Sequence, residues 1–569
     1  MKILGIHDGH NSGSTLLIDG KIIASVSEER FTRKKNEIGY PKFSIDEVLS
    51  IANLKSKDLD KVVYASNFMH TAEHLSKATD WYKADYEDQI RDQSRDNSYL
   101  KAVFARRQAD RIQQAVEQLK IPQDKIGFVE HHLAHGAAAY YAAPFDLKEP
   151  ILILTCDGAG DGVSASVSIG KENKIERIAQ TSRKASLGKV YSRVTYALGF
   201  KPWEHEYKIM GLAPYADENY AIEIKNILKE HLKLSEDGLN FDLVGKLESS
   251  YIYGFLKNKF ERKRFDSISG GLQMFTEEIL SQWVKNTINY TGINKIVCGG
   301  GVFMNVKANK IISELDEVKN MFVFPSCGDE SLSIGAVWHE YFRLSDTKAI
   351  NQRKPLTNVY LGNEFSDEEI RKVLEKNLNQ NNFKFSKSEN IEKITAELLA
   401  ENNIVARFSG RMEWGARALG NRSILANPTQ WSNVEKINSM IKMRDFWMPF
   451  APSILADDIE KYIENPKNLD SLFMMQAFDS KENKQEKITA TTHPRDKTLR
   501  AQFVYKEINP SYWNLIKLFQ EKTGCSAILN TSFNLHGYPL VNTPEDAIYV
   551  FLNSGLDYLA IGSYLVEKN

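Results

Sequence analysis

Four cysteines in 569 residues (Cys156, Cys298, Cys327 and Cys525), none in CxxC spacing, argue against a disulfide framework and a structural zinc site. No apolar run approaches the roughly 18 to 20 residues of a membrane span, which speaks against a transmembrane helix. The opening MKILGIHDGHNSG turns polar too early for a signal peptide, so a cytoplasmic chain is expected. A surplus of either charge is missing as well: Lys and Arg total 73 against 74 Asp and Glu, a formal net charge of −1. Bulk electrostatic attraction to nucleic acid or membrane is thereby excluded, and any such role would need a local patch. What remains is a globular composition, 42% hydrophobic and 26% charged, in a chain long enough for two to four domains.

Residues 3 to 27 read as a strand (ILGI), a polar loop (HDGHNSGS), a second strand (TLLI), the turn DG and a third strand (KIIASVSEE), the signature of a hairpin with a type I′ turn. The same grammar returns with ILILTC, the acidic glycine-rich loop DGAGDG, and VSASVSIG with the strand after GKEN. Two such units resemble the actin, hexokinase and Hsp70-like folds, in which paired loops point into one cleft. The charged segment between about 70 and 120 and the stretch 217 to 265, with EIKNILKEHLKL, are expected to be helical. Either insert suits packing and solubility, or could line a pocket. A polar passage near 344 to 366 divides the chain into domains 1–355 and 356–569, both α/β. The second opens with SDEEIRKVLEKNL, where Ser366 caps the helix and Asp367, Glu368 and Glu369 suit its positive end.

Within FVEHHLAHGAAAYYA, His131 and His135 lie four apart and share one face of a helix, the geometry of a metal pair or of two hydrogen-bonded structural histidines. A metal reading needs oxygen donors, and Asp157 and Asp329 are the best placed. Two imidazoles and two carboxylates suit catalytic Fe(II), Mn(II) or Zn(II). Gly299, Gly300 and Gly301 follow the strand KIVC and precede a helix, allowing close approach of a nucleotide or phosphate, or simply a tight turn. Neither GxGxxG nor GxxxxGK[ST] is present. Near the start, His10 could act as a base near neutral pH with Asp8 orienting it. Lys35 could meet an anion, or belong to the solvated run with Arg33 and Lys34. Arg411, Arg417, Arg422 and Arg444 crowd a short region with few acids, a density that anions would offset. Ser532 and Asn534 could hydrogen-bond a phosphate or a carbonyl.

The strings HDGHNSG, EHHLAH, CDGAGDG, EHEYKIMGLAPY, CGGGVFMNVKAN, PSCGDES, GRMEWGARALGNRSIL, MPFAPSIL and LNTSFNLHGYPLVNTPEDAI resemble, in order and over nearly the whole chain, the O-carbamoyltransferases of nodulation-factor, cephamycin and aminoglycoside biosynthesis (the NodU/CmcH family). The resemblance implies an actin-like, ASKHA-type N-terminal domain and a C-terminal domain similar to threonylcarbamoyl-adenylate synthase. It implies that the latter makes carbamoyl-adenylate from carbamoyl phosphate and ATP, with Mg2+, using Arg411, Arg417, Arg422, Arg444, Ser532 and Asn534, and Arg500 on a looser match. His131, His135, Asp157 and Asp329 would hold Fe(II) or a similar divalent ion. Lys35, Lys208, Gly299, Gly300, Gly301 and Asn305 would hold the adenylate, and Asp8 and His10 would meet the acceptor. Ala416, Ser331, Met448 and Tyr538 depart from the family's commoner residues without removing a ligand. The implied partner is a small hydroxylated acceptor, a sugar or secondary metabolite, with no nucleic acid or membrane partner and a possible homodimer. The competing readings are an actin-like kinase or hydrolase, which leaves the HxxxH pair and the arginines unexplained, and a non-catalytic scaffold or metal-dependent regulator.

Overall fold

The computed structural model describes all residues except 95–96, 379–382 and 569; residues 95 and 96 of the 70–120 segment therefore lie outside the described residues. The chain forms two units, Met1–Glu28 with Asn36–Leu356, and Glu29–Lys35 with Thr357–Asn569.

In the first unit Asp19 and Gly20, both at positive φ (47° and 82°), reverse the chain between β2 (Gly13–Ile18) and β3 (Lys21–Ser27), the conformation a type I′ turn requires. β1 (Lys2–His7) pairs antiparallel with β2 and parallel with β4 (Lys61–Ala65), which pairs parallel with β5 (Ile126–Val129). The strand order is β3-β2-β1-β4-β5. A second sheet is built from β6 (Ile151–Gly160), β7 (Val163–Lys171), β8 (Lys174–Ser182), β9 (Lys295–Gly299) and β10 (Asn320–Val323). Its order, β10-β9-β6-β7-β8, repeats the first sheet with the same strand senses. The duplication legible in the sequence is thus a duplicated sheet, the actin-like α/β arrangement. DGAGDG is not a free loop: β6 continues through it to Gly160, with an irregular register between Cys156 and Gly160, and the reversal falls on Asp161 and Gly162.

The 70–120 segment forms the helices Ala72–Ser76, Tyr86–Gln93 and Asn97–Leu119. The stretch EIKNILKEHLKL is helical only to Lys229, because Leu232–Leu234 pairs with Phe241–Leu243. The helices His131–Ala142 and Leu332–Leu344 pack unusually close, because the first is rich in alanine and the second has Gly335 where they meet. A Cβ on Gly335 would stand 1.8 Å from the Ala134 carbonyl oxygen and 3.0 Å from the Ala138 nitrogen.

The second unit centres on a mixed sheet of β11 (Phe383–Lys387), β12 (Val405–Phe408), β13 (Arg422–Ala426), β14 (Ala451–Leu455), β15 (Gln502–Val504), β16 (Ala527–Ser532), β17 (Tyr558–Ile561) and β18 (Tyr564–Lys568). The strand order is β11-β18-β17-β12-β13-β16-β14-β15. Apolar clusters cover both faces, one around Phe408, Phe533 and Phe551, the other around Tyr512, Phe519 and Leu455. Ser366 caps the helix Asp367–Leu378 as expected, its hydroxyl accepting from the Glu369 amide while the Glu369 carboxylate accepts from Ser366. Arg30 and Arg33 tie Glu29–Lys35 to this unit, donating to the carbonyls of Gly415, Pro539 and Leu540. Lys35 therefore lies in the second unit and not, as the resemblance implied, in the first.

Gly335→Ala is expected to lower stability by about 1–3 kcal/mol, by forcing apart the helix that carries His131 and the helix that follows Asp329. Denaturant unfolding of the full chain checks this.

Candidate functional site

His131 and His135 sit in the first two turns of the helix His131–Ala142, Asp157 on β6 beside the irregular register, and Asp329 in the turn before the helix Leu332–Leu344. One ligand atom from each lies within 4.8 Å of all the others. Asp329 divides its two oxygens: Oδ1 is 3.6 Å from His131 Nε2 and 3.5 Å from His135 Nε2, while Oδ2 is 3.3 Å from His10 Nδ1 and 3.9 Å from His7 Nε2. The outward nitrogens are held by hydroxyls, His131 Nδ1 by Ser66 at 2.9 Å and His135 Nδ1 by Ser331 at 3.1 Å, so both Nε2 atoms face inward. Asp157 Oδ1 accepts from the Gly301 amide at 2.9 Å.

These residues fit a divalent ion. Among the described residues His135 Nε2 is buried with no hydrogen-bond partner, the condition of a ligand atom directed at a cation. Burial opposes charge on His131, but Asp329 and then Asp157 outweigh it and lift its pKa to about 9. Burial and the charge of Asp329 work against ionised Asp157, yet the histidines hold it at about 2. Burial likewise opposes ionised Asp329, and His10 and His131 hold it well below the usual carboxylate range. Two buried carboxylates thus demand positive charge, which a divalent ion supplies.

The remaining sequence candidates in this unit are placed unequally. His10 borders the centre, stacked on Trp203 with centroids 4.5 Å apart. The carboxylate that faces it is Asp329; Asp8 is buried in a bidentate pair with Arg111, both bonds 2.8 Å. Gly300 takes φ +93° and donates to the Cys327 carbonyl, so the glycine turn serves first to aim the Gly301 amide at Asp157. Asn305 caps the helix Val306–Glu314 through the Ala308 amide and exchanges two hydrogen bonds with Gln273. That cap uses one of the amides that the sequence offered to a phosphate. Lys208 lies 5.7 Å from the Phe200 ring centroid.

In the second unit Arg417, Arg444 and Arg500 converge. Burial and then the charges of Arg417 and Arg444 push the Arg500 guanidinium well below its ordinary pKa. Arg444 donates to Thr531 at 3.1 Å. Ser532 and Asn534 come together on Lys442, whose ammonium donates to the carbonyl and side-chain oxygens of both. Burial, Arg444 and Lys35 hold Lys442 well below the usual lysine range. Arg411 and Arg422 are used differently. Arg411 donates to the Leu361 and Gly362 carbonyls. Arg422, fully buried, lies 3.7 Å from the Phe408 ring centroid and donates to Ser409, Gly410 and Asn421, because the turn after β12 encloses it.

Sequence reasoning missed Lys442, a single lysine in IKMRDFW with nothing local to mark it. His7 was missed too, although the alternation of β1 carries it, but not Asp8, onto the face of Gly5 and Ile3. Ser66 and Arg111 had no signal. Glu206 was also missed: burial raises its pKa to about 6, against the Trp203 amide that its carboxylate accepts at 2.8 Å.

Purified protein supplied with Fe(II), Mn(II) or Zn(II) is expected to retain about one ion per chain, and His135→Ala or Asp329→Ala to lose it, measured by elemental analysis. A second expectation concerns pH. The folded state holds the Glu206 proton more tightly than the unfolded chain, so its favourable contribution is complete below pH 4.5 and lost as pH rises through about 6. Glu206→Gln should therefore stabilise the protein by roughly 1–2 kcal/mol at pH 7.5, the gain vanishing toward pH 4.5. Denaturant midpoints across that range check it.

The carbamoyltransferase N-terminus family model matches residues 2–338 and the carbamoyltransferase C-terminus model residues 396–568. The uncharacterized protein MJ1051 of Methanocaldococcus jannaschii is 36% identical over 100% of this chain and 99% of its own. Nodulation protein NolNO of Sinorhizobium fredii is 30% identical over 98% of this chain and 79% of its own. The 3'-hydroxymethylcephem-O-carbamoyltransferase of Streptomyces clavuligerus is 26% identical over 44% of each. Among the described residues no helix is long and apolar enough to cross a membrane. With both family models in order along one chain, the protein belongs to the carbamoyltransferase family and is a transferase.

Proposed function

We propose that the second unit makes carbamoyl-adenylate from carbamoyl phosphate and ATP, and that the first transfers the carbamoyl group to a hydroxyl of a small-molecule acceptor. The observation that carries this reading is the set of buried His131, His135 and Asp329 with half-buried Asp157 in a chain of the carbamoyltransferase family.

In the second unit, water cleaves carbamoyl phosphate to carbamate and phosphate. A carbamate oxygen then attacks the α-phosphorus of ATP, and pyrophosphate leaves. Arg417, Arg444 and Arg500 supply the forks for the phosphates, and Lys442, with Ser532 and Asn534, the donors for the carbamoyl end. Lys35 belongs with these anions. Arg411 and Arg422 act through the loop they hold rather than on the substrate.

In the first unit the acceptor oxygen attacks the carbamoyl carbon, the bond from that carbon to the phosphate oxygen breaks, and AMP leaves. His10 takes the hydroxyl proton: Asp329 engages Nδ1, which leaves Nε2 as the accepting atom. A divalent ion bound by His131, His135, Asp157 and Asp329 supplies Lewis acidity and a fixed point for the adenylate. The Gly299–Gly301 turn, Asn305 and Lys208 border the adenosine. Asp8 orders this corner through Arg111. The mixed anhydride is sensitive to water, so its formation and use within one chain protect it.

Pyrophosphate release is expected to require carbamoyl phosphate. Arg417→Ala should abolish it, and His131→Ala should retain it while losing transfer. His10→Ala should lower transfer by about 100- to 10,000-fold and leave adenylate formation intact. Pyrophosphate, phosphate and product assays separate these outcomes, and loss of adenylate formation in His131→Ala would refute the division of labour.

A further inference from the structure

From the metal centre the chain leads directly into a second cluster. After Ser66, which holds His131, the amides of Asn67 and Phe68 both donate to Asp161 at 2.8 Å, and the same carboxylate takes the His131 amide at 2.9 Å. His70 follows and lies tilted against His74 and Trp81, with centroids 4.7 and 5.2 Å away, while Phe68 packs on Phe104 at 4.0 Å. Three cations lie near these rings. Arg107 donates to His70 Nδ1 at 3.1 Å, and its guanidinium lies 5.4 Å from the Phe68 centroid. Arg193, buried, donates to the Trp81 carbonyl at 3.2 Å, and Arg193 and Lys189 both bond Ser250, at 3.1 and 2.8 Å.

Among the described residues none of the three cations has an ion-pair partner. Glu248, the first carboxylate acting on Lys189, is engaged by Lys184 at 3.0 Å and Gln93 at 2.9 Å, and Asp161, beside Phe68, by its three amides. Burial and then Arg183 and Arg193 push Lys189 down to about 7. Burial, His74 and Arg107 push His70 down to about 3, so its imidazole is neutral and accepts from Arg107, fixing that fork. Positive charge gathered without a counter-ion is costly unless a ligand brings the negative charge.

We propose that Arg107, Lys189 and Arg193, with the rings of Phe68, His70 and Trp81, form an acceptor subsite for a ring that bears an oxyanion, a sugar phosphate being the simplest case. The assignment rests on the reading of the first unit as the transfer site. The guanidinium and ammonium groups match the phosphate oxygens, and the aromatic faces suit the ring. The carbamoylated hydroxyl would then lie on the same molecule, toward Ser66 and the centre.

The probe is glucose 1-phosphate, titrated calorimetrically against the metal-loaded full chain carrying Arg417→Ala, which removes competition from the second unit's anion site. Binding is expected at least about 10-fold tighter than that of glucose, and at least about 10-fold weaker when Arg107→Gln or Lys189→Met is added, with metal content unchanged as the check of folding. Equal binding of glucose and its phosphate, or full binding in both added variants, would overturn the proposal. Saturating AMP provides the second arm. Undiminished glucose 1-phosphate binding assigns the subsite to the acceptor, whereas competition would show that it holds the donor's phosphate and refute the assignment. If sugar phosphate binds as expected but pyrophosphate release is indifferent to carbamoyl phosphate, the proposed function fails and with it the acceptor role, while the sugar-phosphate site itself stands.

Discussion

Asp329 is the side chain on which the first unit turns. One of its oxygens faces His131 and His135 and the other faces His10 and His7, so a single carboxylate joins the candidate metal-ligand set to the candidate base. Its position depends on backbone packing. Only because Gly335 lacks a side chain can the helix that follows Asp329 lie against Ala134 and bring the carboxylate to the histidines. The serines that hold the outer imidazole nitrogens, and the Gly301 amide on Asp157, then fix three of the four ligands from behind. An apolar contact and a few hydrogen bonds thereby set an electrostatic site.

The two units answer opposite electrostatic problems. In the first, two buried carboxylates require positive charge, and the rise of the His131 pKa registers that demand. In the second, Arg417, Arg444, Arg500 and Lys442 require negative charge, and the fall of the Arg500 and Lys442 pKa values registers it. A cation suits one site and phosphates suit the other. The proposed preparation of carbamoyl-adenylate in one unit and its use in the other would need both.

The hairpins, the acidic turn and the HxxxH pair were legible because each rests on local periodicity: a period of two, a DG turn, or four residues along a helix. The arginines could be counted but not sorted. Arg417 and Arg422 are five positions apart in one motif, yet Arg422 is sealed against Phe408 by the strand just before its own, while Arg417 joins a cluster completed by Arg500, roughly eighty positions later. Asp8 was misread for the same reason, since its partner Arg111 comes from a helix about a hundred residues later. Ser331, noticed only as a departure from the commoner residue, holds His135, a candidate metal ligand.

The central claim is that the chain activates a carbamoyl group as an adenylate. Mass analysis of the nucleotide products after a single turnover with ATP and carbamoyl phosphate, without acceptor, tests it most directly. The account predicts carbamoyl-adenylate and AMP, formed only when both substrates are present. ADP as the product, formed whether or not carbamoyl phosphate is added, would contradict it.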